Sequence, residues 1–142
     1  MVRADSGIEN LDGLEGRIVE VQKESSAQSA IDENEDLKNS FLDYLQVADY
    51  NTAMMDLESG AVDAVAMDIY VAKDQIADKA DSMKILDEAI SSEQYGVGFA
   101  KGNTELRDKV QDALKEMVKD GTFEEISKKW FDGANVCILK AE

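Results

Sequence analysis

The chain has 142 residues and a formal net charge of −16, with 31 acidic side chains against 15 basic ones. This length suits one domain with a buried core, and so acidic a surface repels nucleic acid, which excludes a nucleic-acid partner. Histidine is absent, which removes the commonest general base and the commonest zinc ligand.

The first half of the chain alternates predicted strands with predicted helices. Arg17–Val21 alternates and is β-branched, which predicts a strand. Ser25 then precedes Gln28 by three residues, the spacing of a capping box, and predicts a helix that runs towards Phe41. The acidic run Asp32–Asp36 is either a solvated face or a break in that helix. Further strands are predicted at Leu45–Ala48, Val62–Met67 and Met83–Leu86.

Two further helices connect these predicted strands. Asn51 is predicted to cap the first, and Gly60 to end it. Asp68 directly follows a buried strand and is predicted to cap the second. The apolar positions Ile69, Ala72 and Ile76 share one face of that helix. The repeated strand–helix order predicts an α/β fold with a mostly parallel sheet flanked by helices.

The C-terminal third is predicted to be a strand followed by two helices. Tyr95–Phe99 is the strand, and Asn103 or Thr104 caps a helix that ends at Gly121. The apolar residues of this helix recur with the helical period of 3.6 residues and so share one face. They are Leu106, Val110, Ala113, Leu114, Met117 and Val118.

The last predicted helix opens with Thr122 and Glu125 at capping-box spacing. Its Trp130 and Phe131 are predicted to belong to the core, as are Met54 and Met55 in the first half of the chain.

Two positions are candidate binding sites because polar groups follow the end of a predicted strand. The turn Gln22–Ser26 places backbone N–H groups and two hydroxyls, those of Ser25 and Ser26, at a helix N-terminus, where a carboxylate or phosphate binds well. Asp68 stands at the carboxyl end of another strand, where ligands of open α/β sheets bind, and its carboxylate can hold an ammonium group. Helix capping alone is the alternative reading at both positions.

No catalytic set is recognisable, so the chain is not expected to be an enzyme. Without histidine there is no Ser-His-Asp or Cys-His arrangement. The glycines of Gly96–Gly102 have neither dinucleotide-binding nor P-loop spacing. The sequence therefore predicts no cofactor, no metal and no catalytic residue.

Four stretches resemble motifs of the polar amino-acid-binding family, the class II periplasmic solute-binding proteins of ABC importers. They occur in the family's order across nearly the whole chain: Leu11–Gln22, Leu57–Asp68, Gln94–Leu106, and the pair Asp120–Phe123 with Lys128–Phe131.

The resemblance implies a lobe of a two-lobed protein that closes over its ligand. Residues 1–9 would form the first hinge strand and residues 10–90 the second lobe. Residues 91–142 would form the returning hinge strand and C-terminal helices that belong with a missing first lobe.

The resemblance also assigns roles to the candidate site residues. Gln22, Ser25 and Ser26 fall on the family's ligand-binding turn, and Asp68 falls on the aspartate that holds the α-amino group of the ligand. The turn usually has glycine where Glu24 stands, so its geometry here is open.

The function implied is capture of an amino acid outside the membrane and its delivery to a membrane permease. The alternatives are a ligand-sensing domain of a receptor or regulator, and an enzyme on the same fold. The sequence contains no run of 18 apolar residues, so no membrane span is predicted. The first residues do not have the pattern of a secretory leader. The family implies a periplasmic, extracellular or lipoprotein location. A homodimer formed by exchange of C-terminal segments is expected from apolar helix faces that the first lobe would otherwise cover, and Cys137 can cross-link two chains.

Overall fold

The structure, a computed structural model, describes residues 1–131, 133 and 135–140. It divides into two compact units, Met1–Glu93 and Gln94–Glu142. The first unit contains a five-stranded sheet with the strand order β3-β2-β4-β1-β5. The strands are β1 (Val2–Arg3), β2 (Ile18–Gln22), β3 (Asp43–Val47), β4 (Ala64–Ala66) and β5 (Met83–Lys84).

The strand directions confirm the mostly parallel sheet that the sequence predicts. β2 runs parallel to both β3 and β4, whereas β1 runs antiparallel to β4 and β5. A short 3₁₀ turn, Asp12–Leu14, precedes β2. Residues 1–9 thus contribute a strand to the same sheet as the residues that follow them.

The helices of the first unit lie between the strands of this sheet. They are α1 (Ser26–Glu33), α2 (Glu35–Ser40), α3 (Tyr50–Ser59) and α4 (Ile69–Ile76). The single helix expected towards Phe41 is therefore broken, and the break falls within the acidic run. Asn34 leaves the helical region, and its side chain accepts a hydrogen bond from the Leu37 amide at 3.2 Å, so it caps α2.

The core of the first unit occupies both faces of the sheet. Val19 and Val21 of β2 pack on the face of α1, where Ile31 is fully buried. On the opposite face, Val65 packs against Leu57 and Met54 of α3. This arrangement follows from the strand period of two residues, which sends alternate side chains of β2 to opposite faces.

One carboxyl group lies inside this core. Glu20, in the middle of β2, is only 2% exposed, and its Oε2 has no hydrogen-bond partner within the described part of the chain. Burial raises the pKa of Glu20, and the negative charge of Asp56 on α3 raises it further. The alternation of β2 made Glu20 easy to place on a strand, but it did not indicate burial.

Three predicted details of the first unit are wrong. Asp49 and not Asn51 caps α3, because the Asp49 carboxylate accepts from the Thr52 amide at 3.0 Å. Met55 is 61% exposed, since only its neighbour Met54 faces the sheet. The last strand ends at Lys84, two residues earlier than expected.

The second unit contains α5 (Thr104–Asp120) and α6 (Thr122–Trp130). Asn103 caps α5 by accepting from the Leu106 amide at 3.4 Å, and Gly121 ends it with a φ of 86°. The predicted capping box at Thr122 does not form. Thr122 is already the first helical residue, and Gly121 serves as the N-cap without a side-chain bond.

Two more predictions fail in the second unit. Tyr95–Phe99 is not a strand, because among the described residues no neighbouring strand supplies the backbone hydrogen bonds that a strand needs. Trp130 is 71% exposed and Phe131 is only partly buried, so the pair is not core. Among the helices described for the chain, none has the length and apolar character to cross a membrane.

Candidate functional site

The carboxyl ends of three parallel strands lie side by side at one edge of the sheet. Gln22 at the end of β2 is in register with Val47 of β3, and Val21 with Ala66 of β4. Each strand leads through a short turn into a helix. Because neighbouring strands are about 4.8 Å apart, polar groups in these three turns form one surface. The four residues predicted from sequence, Gln22, Ser25, Ser26 and Asp68, all belong to these turns or the strand end beside them.

Ser25 is the structural centre of the turn between β2 and α1. Its Oγ donates to the Gln22 carbonyl oxygen at 2.8 Å and accepts from the Gln28 amide at 3.1 Å. A hydroxyl has one proton and two acceptor positions. These two bonds use the proton and one acceptor position, so the Ser25 hydroxyl acts as a cap and as an anchor of the turn.

Glu24 adopts the backbone conformation that glycine adopts most easily. Its φ is 59°, in the left-handed region that costs a side-chain-bearing residue about 1–2 kcal/mol. The Glu24 amide donates to Gln28 Oε1 at 2.7 Å, which helps to hold this conformation. The predicted capping pair of Ser25 and Gln28 is therefore present, with the return bond made to Glu24 and not to Ser25.

Gln22 and Ser26 present the polar groups on either side of this anchor. Gln22 Nε2 donates to the Ala48 carbonyl oxygen at 3.2 Å, which ties the end of β2 to the end of β3. Ser26 begins α1, so its amide has no acceptor within the helix. The Ser26 hydroxyl is exposed and donates to Glu93 Oε1 over 3.5 Å. Ser26 thus presents the exposed hydroxyl of the turn.

Asp68 caps α4 at the end of β4. Its Oδ1 accepts from the amides of Tyr70 at 2.8 Å and Val71 at 3.3 Å. These bonds confirm the predicted cap, and they orient a half-buried carboxylate at the same edge as the α1 N-terminus. A cap and a ligand contact are compatible, because a carboxylate has about four acceptor positions.

Tyr50, which sequence reasoning did not select, follows the end of β3 at the same edge of the sheet. It is the first residue of α3 and is half-buried. Burial raises the pKa of Tyr50, the nearby Ser25 hydroxyl lowers it, and the negative charges of Asp68 and Glu93 raise it further. Both carboxylates therefore act on the same phenol. Its position directly after the third parallel strand was the available signal, whereas nothing in the sequence indicated Glu93.

Other parts of the first unit do not resemble this edge. Two open depressions lie away from it, and neither includes Gln22, Ser25, Ser26 or Asp68. Within the residues that the structure describes, no three acidic or cysteine side chains are grouped so that they could hold a metal ion. The edge itself offers donors from a helix N-terminus beside a carboxylate, which suits a ligand with both a negative and a positive group.

A family model matches residues 29–133, most of the chain, and its description is bacterial extracellular solute-binding proteins, family 3. The chain belongs to this family. The matched residues of this solute-binding protein include Asp68, whereas Gln22, Ser25 and Ser26 precede them. The family consists of solute-binding proteins.

The curated relatives are considerably longer than this chain. It is 41% identical over 85 residues to the L-cystine-binding protein TcyJ of Escherichia coli (strain K12), covering 60% of this chain and 32% of that protein. It is 30% identical over 141 residues to the arginine-binding extracellular protein ArtP of Bacillus subtilis (strain 168), covering 92% of this chain and 51% of that protein. The chain thus spans between a third and a half of these relatives.

Solved structures agree with this family assignment. An ancestral arginine-binding protein bound to arginine has 36% identity and a TM-score of 0.71, covering 92% of this chain and 57% of that one. An ABC uptake transporter substrate binding protein from Streptococcus pneumoniae with bound histidine has 27% identity and a TM-score of 0.78. The match covers 97% of this chain and 58% of that one. These likenesses confirm the periplasmic-binding-protein fold that the motifs implied.

Proposed function

We propose that this chain forms part of an amino-acid-binding protein that captures an amino acid outside the membrane and delivers it to the permease of an ABC importer. The observation that supports this most is the shared edge of β2 and β4. It sets the N-terminus of α1, with the Ser26 hydroxyl, beside the Asp68 carboxylate. The first group suits the α-carboxylate of an amino acid, and the second suits its α-ammonium group.

The relatives support the same class of ligand. Their names refer to cystine and arginine, and the two solved structures contain arginine and histidine. Within this proposal, Gln22 fixes the end of β2, and Ser25 anchors the turn through the two hydrogen bonds of its hydroxyl. Ser26 and the first amides of α1 bind the carboxylate, and Asp68 binds the ammonium group.

The lobe assignment is part of this proposal. Residues 10–90 form the second lobe, with residues 1–9 as the first hinge strand. Residues 91–142 form the returning hinge and helices of the first lobe. The division of the chain between Glu93 and Gln94, and its coverage of 57% and 58% of the matched structures, support this assignment. The proposed location is outside the cytoplasmic membrane, and the proposed protein binds its ligand without chemical change.

The test is a titration of the chain with the common amino acids, followed by NMR of its backbone amides. We expect shifts at Ser26, Ala27 and Asp68 with an affinity no better than millimolar, because one side of a cleft leaves the ligand in water. Shifts at none of these amides with any amino acid would contradict the proposed function. Micromolar binding by this chain alone would contradict its assignment to part of a cleft.

Two variants of Asp68 separate the ligand contact from the helix cap. Asp68→Asn keeps a good N-cap side chain but removes the charge, whereas Asp68→Ala removes both. Loss of a hydrogen bond to a charged group costs about 1.5–3 kcal/mol. Both variants should therefore lose amino-acid binding, and only Asp68→Ala should lower the melting temperature. Unchanged binding by Asp68→Asn would leave Asp68 as a cap alone.

We also propose that this chain forms a homodimer through its second unit. Trp130 is 71% exposed, Leu106 48% and Ile126 45%. Burial of each such side chain against a second copy is favourable by up to about 1.5–3 kcal/mol, although the charge of −16 per chain opposes association at low salt. Light scattering after size exclusion at moderate salt is the test. A monomer there would contradict the dimer.

A further inference from the structure

Residues 85–93, which follow β5, form no helix or strand, yet contacts with the rest of the first unit hold them in place. Leu86 and Ile90 pack against the core cluster on the α1 side of the sheet. Glu88 Oε2 accepts a hydrogen bond from the Leu11 amide at 2.9 Å. The course of this segment is therefore fixed by apolar contacts and by a hydrogen bond to a residue distant in the sequence.

The segment carries the Glu93 carboxylate to the first turn of α1. Ile90 and Ser91 line an open depression together with Ala30, in the C-terminal half of α1. A few residues later, Glu93 has reached the opposite end of that helix, where the Ser26 hydroxyl donates to Glu93 Oε1 over 3.5 Å. The segment thus runs along α1 in the direction opposite to the helix and ends with a carboxylate at its N-terminus.

The first turn of α1 lacks the acidic residue that the other helices have. Each of the other helices described for the chain has an acidic N-cap, such as Asp68 of α4, or an acid in its first turn, such as Glu105 of α5. α1 has Ser25 as its N-cap and no acid in its first turn. Because a helix N-terminus carries a partial positive charge, Glu93 supplies from another part of the chain the negative charge that α1 lacks.

The contact between Glu93 and Ser26 is of a kind that a ligand can displace. Its 3.5 Å is longer than the usual O–H···O distance of about 2.5–3.0 Å, and Glu93 is exposed, so solvent screens it. When the Glu93 carboxylate leaves, the Ser26 hydroxyl stays in the first turn. The amides of Ser26 and Ala27, which have no acceptor within the helix, stay there as well.

We propose that Glu93 is an internal competitor for the ligand carboxylate, which occupies the N-terminus of α1 until an amino acid displaces it. The inference rests on the proposed function, in which this N-terminus binds the carboxylate of the ligand. Only the fraction of molecules in which Glu93 has left the first turn is ready to bind, and the apparent affinity is reduced by that fraction. The attraction of an exposed carboxylate to a helix N-terminus corresponds to an about two- to sixfold reduction.

The experiment titrates the unaltered chain and Glu93→Gln with two probes at constant ionic strength, followed by amide NMR. Sodium propionate has a carboxylate and no ammonium group, and L-alanine has the same carbon skeleton with both groups. Glu93→Gln removes the competing charge. We therefore expect it to bind both probes about two- to sixfold more tightly, as read from the amides of Ser26 and Ala27.

Asp87→Asn is the matched control. Asp87 is an exposed acid of the same segment, six residues before Glu93. Its replacement removes one negative charge and leaves the contact between Glu93 and Ser26 intact. Both affinities should therefore stay nearly unchanged in this variant. Equal gains in Asp87→Asn and Glu93→Gln would show a general effect of charge and would overturn the inference.

The remaining outcomes separate this inference from the proposed function. Propionate binding that is unchanged in Glu93→Gln, or that shifts neither Ser26 nor Ala27 in either protein, would overturn the role of Glu93 as a competitor. Weaker alanine binding by Glu93→Gln would show contact with the ligand ammonium group and would also overturn it. The proposed function fails only if no amino acid shifts the Ser26, Ala27 and Asp68 amides, whereas propionate tests Glu93 without an amino acid.

Discussion

Different kinds of interaction stabilise the two units of the chain, each within itself. All the fully buried apolar side chains described for the chain lie in the first unit, from Val2 to Met83, on the two faces of its sheet. The 17-residue helix α5 of the second unit has no buried residue, and Ser127 is the buried residue of α6. In the second unit, the helices are stabilised by local features: the Asn103 cap, the left-handed Gly121 at the end of α5, and ion pairs such as Glu105–Lys109.

This difference teaches which parts of the chain can be stable without a partner. A helix forms locally through caps and side-chain pairs, but most of the stability of a protein helix comes from packing of its apolar face. The first unit has that packing within itself. The second has amphipathic helices whose apolar side chains are exposed or only partly buried, so its stability depends on what covers them. Four predictions test this contrast, in order of expected effect.

Truncating a leucine to alanine should change the free energy of unfolding much more in the first unit than in the second. Leu57 of α3 is fully buried, whereas Leu106 of α5 is 48% exposed. We expect Leu57→Ala to lower the free energy of unfolding by about 2–5 kcal/mol and Leu106→Ala to change it by about 0.5 kcal/mol or less. Urea denaturation measures both. Equal losses would show that α5 is packed as tightly as α3.

The buried carboxyl of the first unit should make stability depend on pH. Because the pKa of Glu20 is raised above its ordinary 4.5, the folded chain binds this proton more tightly than the unfolded chain does. The Glu20 contribution should therefore reduce stability as pH rises from about 4.5 through the raised pKa, and should be absent below that window.

Glu20→Gln should remove this dependence and stabilise the chain at pH 7, because the neutral amide avoids the cost of burying a charge. At pH 4 the two proteins should differ little. Denaturation at a series of pH values is the measurement, with Glu33→Gln on the exposed end of α1 as the control for loss of one surface charge. A constant difference at all pH values would show that the charge on Glu20 is not the cause.

Introducing glycine at the strained Glu24 should stabilise the chain, whereas removing glycine at the end of α3 should destabilise it. Glu24→Gly removes a side chain at a φ of 59° and should stabilise the chain by up to about 1 kcal/mol. Gly60→Ala, at a φ of 81°, should destabilise it by about 1 kcal/mol. Thermal denaturation compares them. A loss of stability in Glu24→Gly would mean that the Glu24 side chain contributes more than its backbone strain costs.

The smallest effect is expected in the second unit. Lys109→Ala removes an exposed ion pair of 2.7 Å to Glu105, one helical turn away. It should cost about 0.2–0.5 kcal/mol at low salt and nothing measurable in 1 M salt. Helicity by circular dichroism at both salt concentrations is the measurement. A loss that persists in high salt would point to packing by the Lys109 stem.

Local chemistry was enough to predict most of the helices and strands of the fold. The β-branched alternation of β2, the Asp68 cap after β4, and the glycine ends at Gly60 and Gly121 depend on a few neighbouring residues, and each is present in the structure. The strand–helix order, with the family resemblance, was enough for the fold class. The four candidate residues were selected in the same way, from polar groups that follow a strand.

Only the tertiary structure determined which groups meet and which are buried. The turn before Tyr50 lies beside the turn of Ser25 because β3 pairs with β2, and Glu20 is buried because α3 covers one face of the sheet. Tyr95–Phe99 has a strand-like alternation but, within the described residues, no strand beside it, and Trp130 has a core-like side chain but stays exposed. A pattern of side chains sets the periodicity of an element, whereas pairing and burial depend on residues distant in the sequence.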